Sequence, residues 1–243
     1  MDLETLFTSR TGFGVESATF LQRVICRATD GAPLDDLARG SDTDRAAAAR
    51  VFGCAPAAVS TAGPPLEVVD LEPVRCGKSL RYAALAVARS QTIDVSIVKP
   101  GEEPPRISLL STATDTAGTL RGHLNVIHER PALRSLLVGE TADSITLQHP
   151  SGLPIEIKTI AAQRGGYSLA ARWSGSVIFD EAPGWHSTDK IVSLEESREQ
   201  TLGRLLTGAQ AIYGGSPWQP AGFCFDAWRG SFGKPTADML VIQ

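Results

Sequence analysis

The sequence predicts an α/β fold in which a mostly parallel central sheet is covered by helices on both faces. Short apolar runs alternate with helix-forming runs, which is the pattern of strands joined by crossover helices. Two of the apolar runs, residues 66–71 and 176–179, lead directly into polar residues with recognisable chemistry. At 243 residues and 42% hydrophobic content, the chain has enough apolar material for a single core.

The predicted elements follow one another along the chain. Helices are expected over residues 15–29 and 42–51, the second capped by Ser41 or Asp42. The first core strand covers residues 66–71. The remaining elements are a helix at 80–89, a strand at 106–110, a helix at 111–127, a hairpin of strands 144–148 and 154–160 around Ser151 and Gly152, a strand from 176, a helix over 187–206, a strand at 210–213, a helix at 221–229 and a strand at 237–242.

A phosphate-binding loop is predicted between the strand at 66–71 and the helix at 80–89. The intervening residues, EPVRCGKS, end in Gly77-Lys78-Ser79. In such a loop, backbone N–H groups face phosphate oxygens, Lys78 reaches the terminal phosphates and Ser79 completes a Mg²⁺ shell. The usual pattern has a glycine five positions before Gly77, where this chain has Glu72. A carboxylate there would repel bound phosphates unless its side chain turned outward.

A second motif follows about a hundred residues later, where an apolar strand runs into Asp180 and Glu181. This is the Walker B pattern, in which the first carboxylate holds Mg²⁺ and the second orients and deprotonates the attacking water. An ordinary strand end followed by a solvated turn is the alternative interpretation. Because both motifs occur in the expected order, the sequence favours Mg²⁺-dependent hydrolysis of a nucleotide.

Composition excludes some other classes of protein. The formal charge of −4 excludes a globally basic nucleic-acid binder, although a local basic surface remains open to the scattered Arg75, Arg81, Arg121 and Arg130. The four cysteines match no disulfide framework, and the histidines have no partner at metal-ligand spacing. The first residues lack the features of a signal peptide, and no run reaches membrane-spanning length. We therefore expect a soluble cytoplasmic protein.

Several stretches are similar to one family. Residues 68–79, with Arg75 inside the loop, resemble a variant Walker A that tolerates loss of the first glycine, and residues 107–117 resemble the strand and helix cap that follow it. Residues 168–175 occupy the place of an arginine-bearing loop, and residues 177–185, VIFDEAPGW, are similar to a "DEAA" block. Together they resemble the ATPase domain of the large terminase subunit, the motor that packages DNA into the capsids of tailed phages and herpesviruses.

The resemblance implies a set of site residues. Lys78, Glu181 and an arginine finger at Arg172 would be catalytic, and Arg164 is the alternative finger. Ser79 and Asp180 would hold Mg²⁺. ATP would be bound by Gln22, Arg75, Cys76, Gly77, Lys78 and Ser79, with Gln22 reading the adenine edge, and Ser216 would couple hydrolysis to movement.

Ordinary structural roles stay open for three of these residues. Gln22 fits an exposed glutamine on an amphipathic helix, Ser216 a turn before a helix, and Arg172 the cap of a surface turn beside Trp173.

The resemblance also implies a three-layer α/β/α P-loop NTPase fold and a biological role. We expect one ATPase domain over residues 1–243, with a helical portion at 1–60 and the P-loop core at 61–243, and no C-terminal nuclease domain or activity. ATP hydrolysis would drive double-stranded DNA into a procapsid in the host cytoplasm. The partners would be double-stranded DNA, the portal protein and the small terminase subunit, with a monomer in solution and a homo-oligomeric ring on the capsid. A helicase-like ATPase fragment and a non-catalytic prophage remnant are the alternatives.

Overall fold

Parallel strands dominate the sheet of this protein. A computed structural model of the chain describes residues 1–34, 40–59, 63–112, 114–161, 169, 172–185, 193–217 and 220–243. Its strands are β1 (Glu67–Leu71), β2 (Arg106–Ser111), β3 (Leu137–Glu140), β4 (Ser144–Gln148), β5 (Pro154–Ala161), β6 (Ser174–Phe179), β7 (Ala211–Gly215) and β8 (Met239–Ile242). They form one eight-stranded sheet in the order β3-β4-β5-β2-β6-β7-β1-β8. Among the described residues the antiparallel pairs are β3–β4 and β4–β5, toward one edge, and the other neighbouring strands are parallel.

Helices cover both faces of this sheet. The α-helices are α1 (Leu3–Thr8), α2 (Phe20–Thr29), α3 (Asp42–Phe52), α4 (Lys78–Thr92), α5 (Thr114–His123), α6 (Val126–Glu129), α7 (Pro131–Arg134), α8 (Leu194–Leu202) and α9 (Phe223–Ser231), and short 3₁₀ turns lie at Pro56–Val59 and Ala182–Gly184. Helices α1, α2 and α4 share one core with the sheet, and α8 and α9 share the other. The architecture is therefore the three-layer α/β/α sandwich that the sequence predicted.

The two cores arise from the alternation of side chains along each strand. Val68 of β1 and Ile178 of β6 face the α4 side, whereas their neighbours Val69 and Phe179 face the α9 side. Successive strand residues point to opposite faces, so a strand buried on both faces is mostly apolar. This explains the largely apolar runs in the sequence, in which the buried Glu67 and Asp70 of β1 are exceptions.

The structure confirms most predicted elements and corrects several boundaries. Helix α2 begins at Phe20 because the Thr19 side chain and Gln22 form a capping box there, and Ser41 caps α3 as predicted. The hairpin at 144–160 is confirmed as the β4–β5 pair. The helix predicted at 111–127 is instead two helices, α5 and α6, and the sequence analysis missed α1 and β3. Part of the helix predicted at 187–206 lies outside the described residues.

Chain topology decides which loops meet. The chain leaves β1 through α4 and returns at β2, three strands away in the sheet. Strands β7 and β6 fill the space between them, with β7 next to β1. In such a sheet, ligands bind at the carboxyl ends of the strands where the strand order reverses. Within the described ranges, no helix combines the length and apolar character needed to cross a membrane.

Candidate active site

The carboxyl ends of β1, β7 and β6 bring the two predicted motifs to the same edge of the sheet. Asp70 pairs in register with Gly214, and Phe179 pairs with Tyr213. The loop after β1, the end of β7 and the turn after β6 are therefore neighbours. The sequence predicted this meeting of the Gly-Lys-Ser loop with the Asp180-Glu181 pair.

The loop after β1 has the backbone of an anion-binding site. Arg75 and Gly77 have φ angles of 67° and 91°, in the left-handed region, and Gly77 is the N-cap of α4. Among the described residues no side chain caps α4 at Gly77, whereas Thr19, Ser41 and Ser193 cap α2, α3 and α8. The first N–H groups of this 15-residue helix are therefore available to an anion, which the helix dipole also favours.

Lys78 lies across the start of this loop. Its Nζ donates hydrogen bonds of 2.8 Å to the backbone carbonyl oxygens of both Glu72 and Pro73, and the side chain is only 6% exposed. Burial raises the pKa of Asp180 in the second motif, and the positive charge of Lys78 partly offsets that rise. Lys78 therefore bonds the start of the loop while its charge acts on Asp180.

The Glu72 side chain does not turn outward to solvent. Its carboxylate pairs with Arg81, whose Nη2 also bonds Asp70 Oδ2 at 2.6 Å, and all three side chains are buried. The outward orientation considered for Glu72 is therefore wrong, and so is the surface position considered for Arg81, which is 3% exposed. Burial and the neighbouring Asp70 raise the pKa of Glu72 to about 7.

The turn after β6 presents the two acids in different backbone environments. Asp180 is fixed by its N–H, which donates to the Leu110 carbonyl at 2.8 Å, and by its own carbonyl, which accepts from Trp185 Nε1 at 3.0 Å. Burial and the adjacent Glu181 raise the pKa of Asp180 to about 6. Glu181 has a φ of 57°, a strained value for a non-glycine residue, and such strain concentrates at functional sites.

Glycines at the end of β7 allow this turn and α4 to approach closely. A Cβ on Gly214 would lie 1.7 Å from the Tyr82 hydroxyl oxygen, and a Cβ on Gly215 would lie 3.1 Å from Glu181 Cα. The Tyr82 hydroxyl donates to Asp70 Oδ2 at 2.9 Å. The sequence analysis missed this role, although two adjacent glycines inside an apolar strand are the signal of close backbone approach.

Ser216 and Gln22 both contact the phosphate loop. Ser216 Oγ donates to the Glu72 carbonyl at 3.2 Å, the same oxygen that accepts from Lys78. Gln22 Nε2 donates to the Cys76 carbonyl at 2.9 Å, while its Oε1 accepts from the Thr19 N–H. Gln22 therefore lies at the loop, and the adenine contact stays a prediction. Burial raises the pKa of the Cys76 thiol to about 11, which keeps it protonated and suits a packing role.

A Mg²⁺ ion fits the side chains at this edge. Ser79 follows Lys78 on the first turn of α4 and offers a hydroxyl oxygen, and Asp180 offers a buried carboxyl group at the end of β6. Mg²⁺ prefers hard oxygen ligands and is commonly held by one or two protein oxygens together with water and substrate phosphates. Among the described residues, no three His, Cys, Asp or Glu side chains cluster as a separate metal site.

Arg172 lies far from this site. It precedes β6, and its guanidinium binds Glu156 at 2.9 Å and Glu103 at 2.7 Å. The active-site acids follow β6, and six strand residues span roughly 20 Å. The arginine-finger role predicted for Arg172 in its own chain is therefore wrong, because the strand separates it from Lys78. Arg164 lies outside the described residues.

Comparisons with known proteins support the fold. No family model matches the chain, and no curated protein matches it. Among solved structures, the large terminase of bacteriophage HK97 superposes with a TM-score of 0.57 at 14% identity, over 92% of this chain and 43% of that chain. The chain therefore spans less than half the length of the HK97 protein. At this identity the likeness establishes the fold, which is the one expected from the sequence resemblance.

Two further matches have lower scores. The ATPase domain of the Thermus phage P74-26 large terminase gives a TM-score of 0.45 at 16% identity, over 84% of this chain and 85% of that chain. The large terminase of a thermophilic bacteriophage, solved in complex with ADP, gives 0.43 at 15% identity, over 73% of this chain and 40% of that chain. The fold assignment rests on the HK97 match.

Proposed function

We propose that this protein is a Mg²⁺-dependent ATPase of the large-terminase class. The observation that carries the proposal is the convergence of an uncapped helix N-terminus, the Lys78 ammonium group and the Asp180-Glu181 pair at one edge of the sheet. Phosphoryl transfer needs positioned charges and a base more than it needs covalent chemistry from the protein. These groups supply both requirements.

Each side chain has a defined part in hydrolysis. The N–H groups at the start of α4 bind phosphate oxygens, and Lys78 exchanges its two carbonyl partners for phosphate oxygens because a charged acceptor binds an ammonium group more strongly. Glu181 accepts the proton of the attacking water. Ser79 and Asp180 would hold Mg²⁺, which neutralises charge on the phosphates when it is bound.

We further propose DNA translocation as the biological task. Support comes from the fold shared with the HK97 large terminase and from the sequence blocks at residues 68–79 and 177–185. Double-stranded DNA, a portal protein and a small terminase subunit would then be the partners, and a ring on the capsid would be the working assembly. Within such a ring, Arg172 could act as a finger only on the site of a neighbouring subunit, where it would have to exchange Glu103 and Glu156 for phosphate.

The two alternative functions lead to different expectations. A decayed, non-catalytic loop was suggested by Glu72, but its pairing with Arg81 offsets part of the repulsion on which that suggestion depended. A helicase-like ATPase would respond to single-stranded DNA rather than to the duplex.

The direct test measures ATP turnover by the purified chain with Mg²⁺. Wild type should hydrolyse ATP and be stimulated by double-stranded DNA more than by single-stranded DNA. Lys78→Ala should abolish turnover, whereas the exposed Lys99→Ala should retain it. Equal turnover in wild type and Lys78→Ala would show that the measured activity does not come from this site.

A further inference from the structure

Glu72 links three parts of the candidate site. Its carboxylate binds Arg81 of α4, and its backbone carbonyl accepts one hydrogen bond from Lys78 Nζ and one from Ser216 Oγ. A glycine at this position would keep the carbonyl contacts but would lose the carboxylate. The identity of this side chain therefore determines whether the loop is tied to α4 at this point.

Arg81 is suited to hold that link. It is 3% exposed and lies three residues after Lys78, so it follows Lys78 by about one turn of α4. Its Nη2 contacts both Asp70, at the end of β1, and Glu72, at the start of the loop. Both contacts are made by this one nitrogen, so a single charged donor group holds the two carboxylates together.

We propose that Glu72 and Arg81 are positioning residues, forming a buried clasp that holds the phosphate loop in the shape that Lys78 and Ser216 require. The clasp replaces the conformational freedom of a glycine with a fixed charge pair. This proposal deepens the proposed function, and the part of its test that uses a nucleotide rests on that function.

The charges around Glu72 give the clasp a pH dependence. Burial and the neighbouring Asp70 raise the pKa of Glu72 from 4.5 to about 7, so the clasped loop holds the Glu72 proton more tightly than an opened, solvated loop does, and the clasp weakens as pH rises from 4.5 to about 7. The titratable and charged groups that face Glu72 are Asp70 on β1, Lys78 and Arg81 on α4, Cys76 in the loop and Cys26 on α2.

The first test measures the affinity of a fluorescent ADP derivative with Mg²⁺ at about pH 8 for wild type, Glu72→Gln, Glu72→Gly and Glu16→Gln. Glu72→Gly restores the common glycine and removes the carboxyl group, so it should weaken the Kd by about tenfold or more. Glu72→Gln keeps the size and an acceptor oxygen for Arg81, so its loss of affinity should be smaller. Glu16→Gln removes an exposed carboxylate that pairs with Arg10, and it should bind like wild type. Unchanged or tighter binding in both Glu72 variants would overturn the clasp and indicate that Glu72 merely repels phosphate.

The second test needs no nucleotide. Hydrogen exchange of the loop amides at 74–77, corrected for intrinsic rates, should show protection that falls as pH rises from about 5 to about 7 in wild type and does not change with pH in Glu72→Gln. Arg81→Met, which removes the charge that the two carboxylates share, should lower this protection at every pH if it folds. If wild type binds no nucleotide, the proposed function fails, and the exchange profile alone decides the clasp. Identical profiles in wild type and Glu72→Gln would refute it.

Discussion

Replacing Asp180 with asparagine should stabilise the protein at neutral pH. Asp180 is 2% exposed, and its pKa rises from 3.8 to about 6 through burial and the charge of Glu181. Because the folded state holds this proton more tightly than the unfolded chain, stability falls as pH rises from 3.8 to about 6 and is constant above that range. Keeping Asp180 ionised at neutral pH therefore costs the folded state about 3 kcal/mol.

The quantity to measure is how the difference in the free energy of unfolding between wild type and Asp180→Asn changes with pH. Urea unfolding of wild type and Asp180→Asn at about pH 5 and about pH 7.5 gives two differences in the free energy of unfolding. The asparagine variant should gain about 1.4 kcal/mol on wild type between these conditions, since the carboxyl is mostly protonated in the folded state only at the lower pH. Glu72 titrates in both proteins, so its contribution cancels in the comparison.

An exposed aspartate provides the control. Asp94 accepts the Ser96 N–H at 2.8 Å, and this hydrogen bond lowers its pKa. It is therefore ionised in the folded and unfolded states at both pH values, and Asp94→Asn should show the same effect at each. A mutational effect of Asp180→Asn that is equal at the two pH values would refute the argument that ionising this buried carboxyl destabilises the folded state.

Three other substitutions test separate parts of the structure. Glu181→Gln should still bind ATP yet lose about 10²-fold or more in turnover, because the base is gone; near-full turnover would place the base elsewhere. Gly214→Ala should disrupt the contact with Tyr82 and lower the melting temperature. Gly203→Ala should not lower it, because Gly203 lies at the C-cap of α8 with open space where a Cβ would be. Equal melting temperatures for the two variants would contradict the close approach of Gly214 to Tyr82. Arg89→Met should destabilise the protein by about 3 kcal/mol in urea unfolding, because it removes the charged partner of Asp30 Oδ1 and the donor to the buried Gln210 Oε1. A loss under about 1 kcal/mol would show that other groups replace Arg89.

The sequence predicted the parts of the site that lie in one contiguous stretch. Gly77-Lys78-Ser79 falls between a strand and a helix, and the turn conformation, the helix start and the lysine position all follow from neighbouring residues. The Asp180-Glu181 pair follows its strand in the same way. Strand direction alone would also have excluded Arg172 from the site of its own chain. A residue before a parallel strand lies at the edge of the sheet opposite the carboxyl ends, where the site is.

Only the tertiary structure decided how distant residues combine. The clasp between Glu72 and Arg81 depends on the way α4 packs against β1, and the contact between Ser216 and the Glu72 carbonyl joins residues 144 positions apart. Gly214 and Gly215 matter because β7 lies between β1 and β6, an order that no local pattern encodes. The sequence by itself determined the elements and their chemistry, since hydrophobic periodicity and capping act within a few residues. The pairing of strands determined which charges are buried together, and thus how a glutamate fits where a glycine is usual.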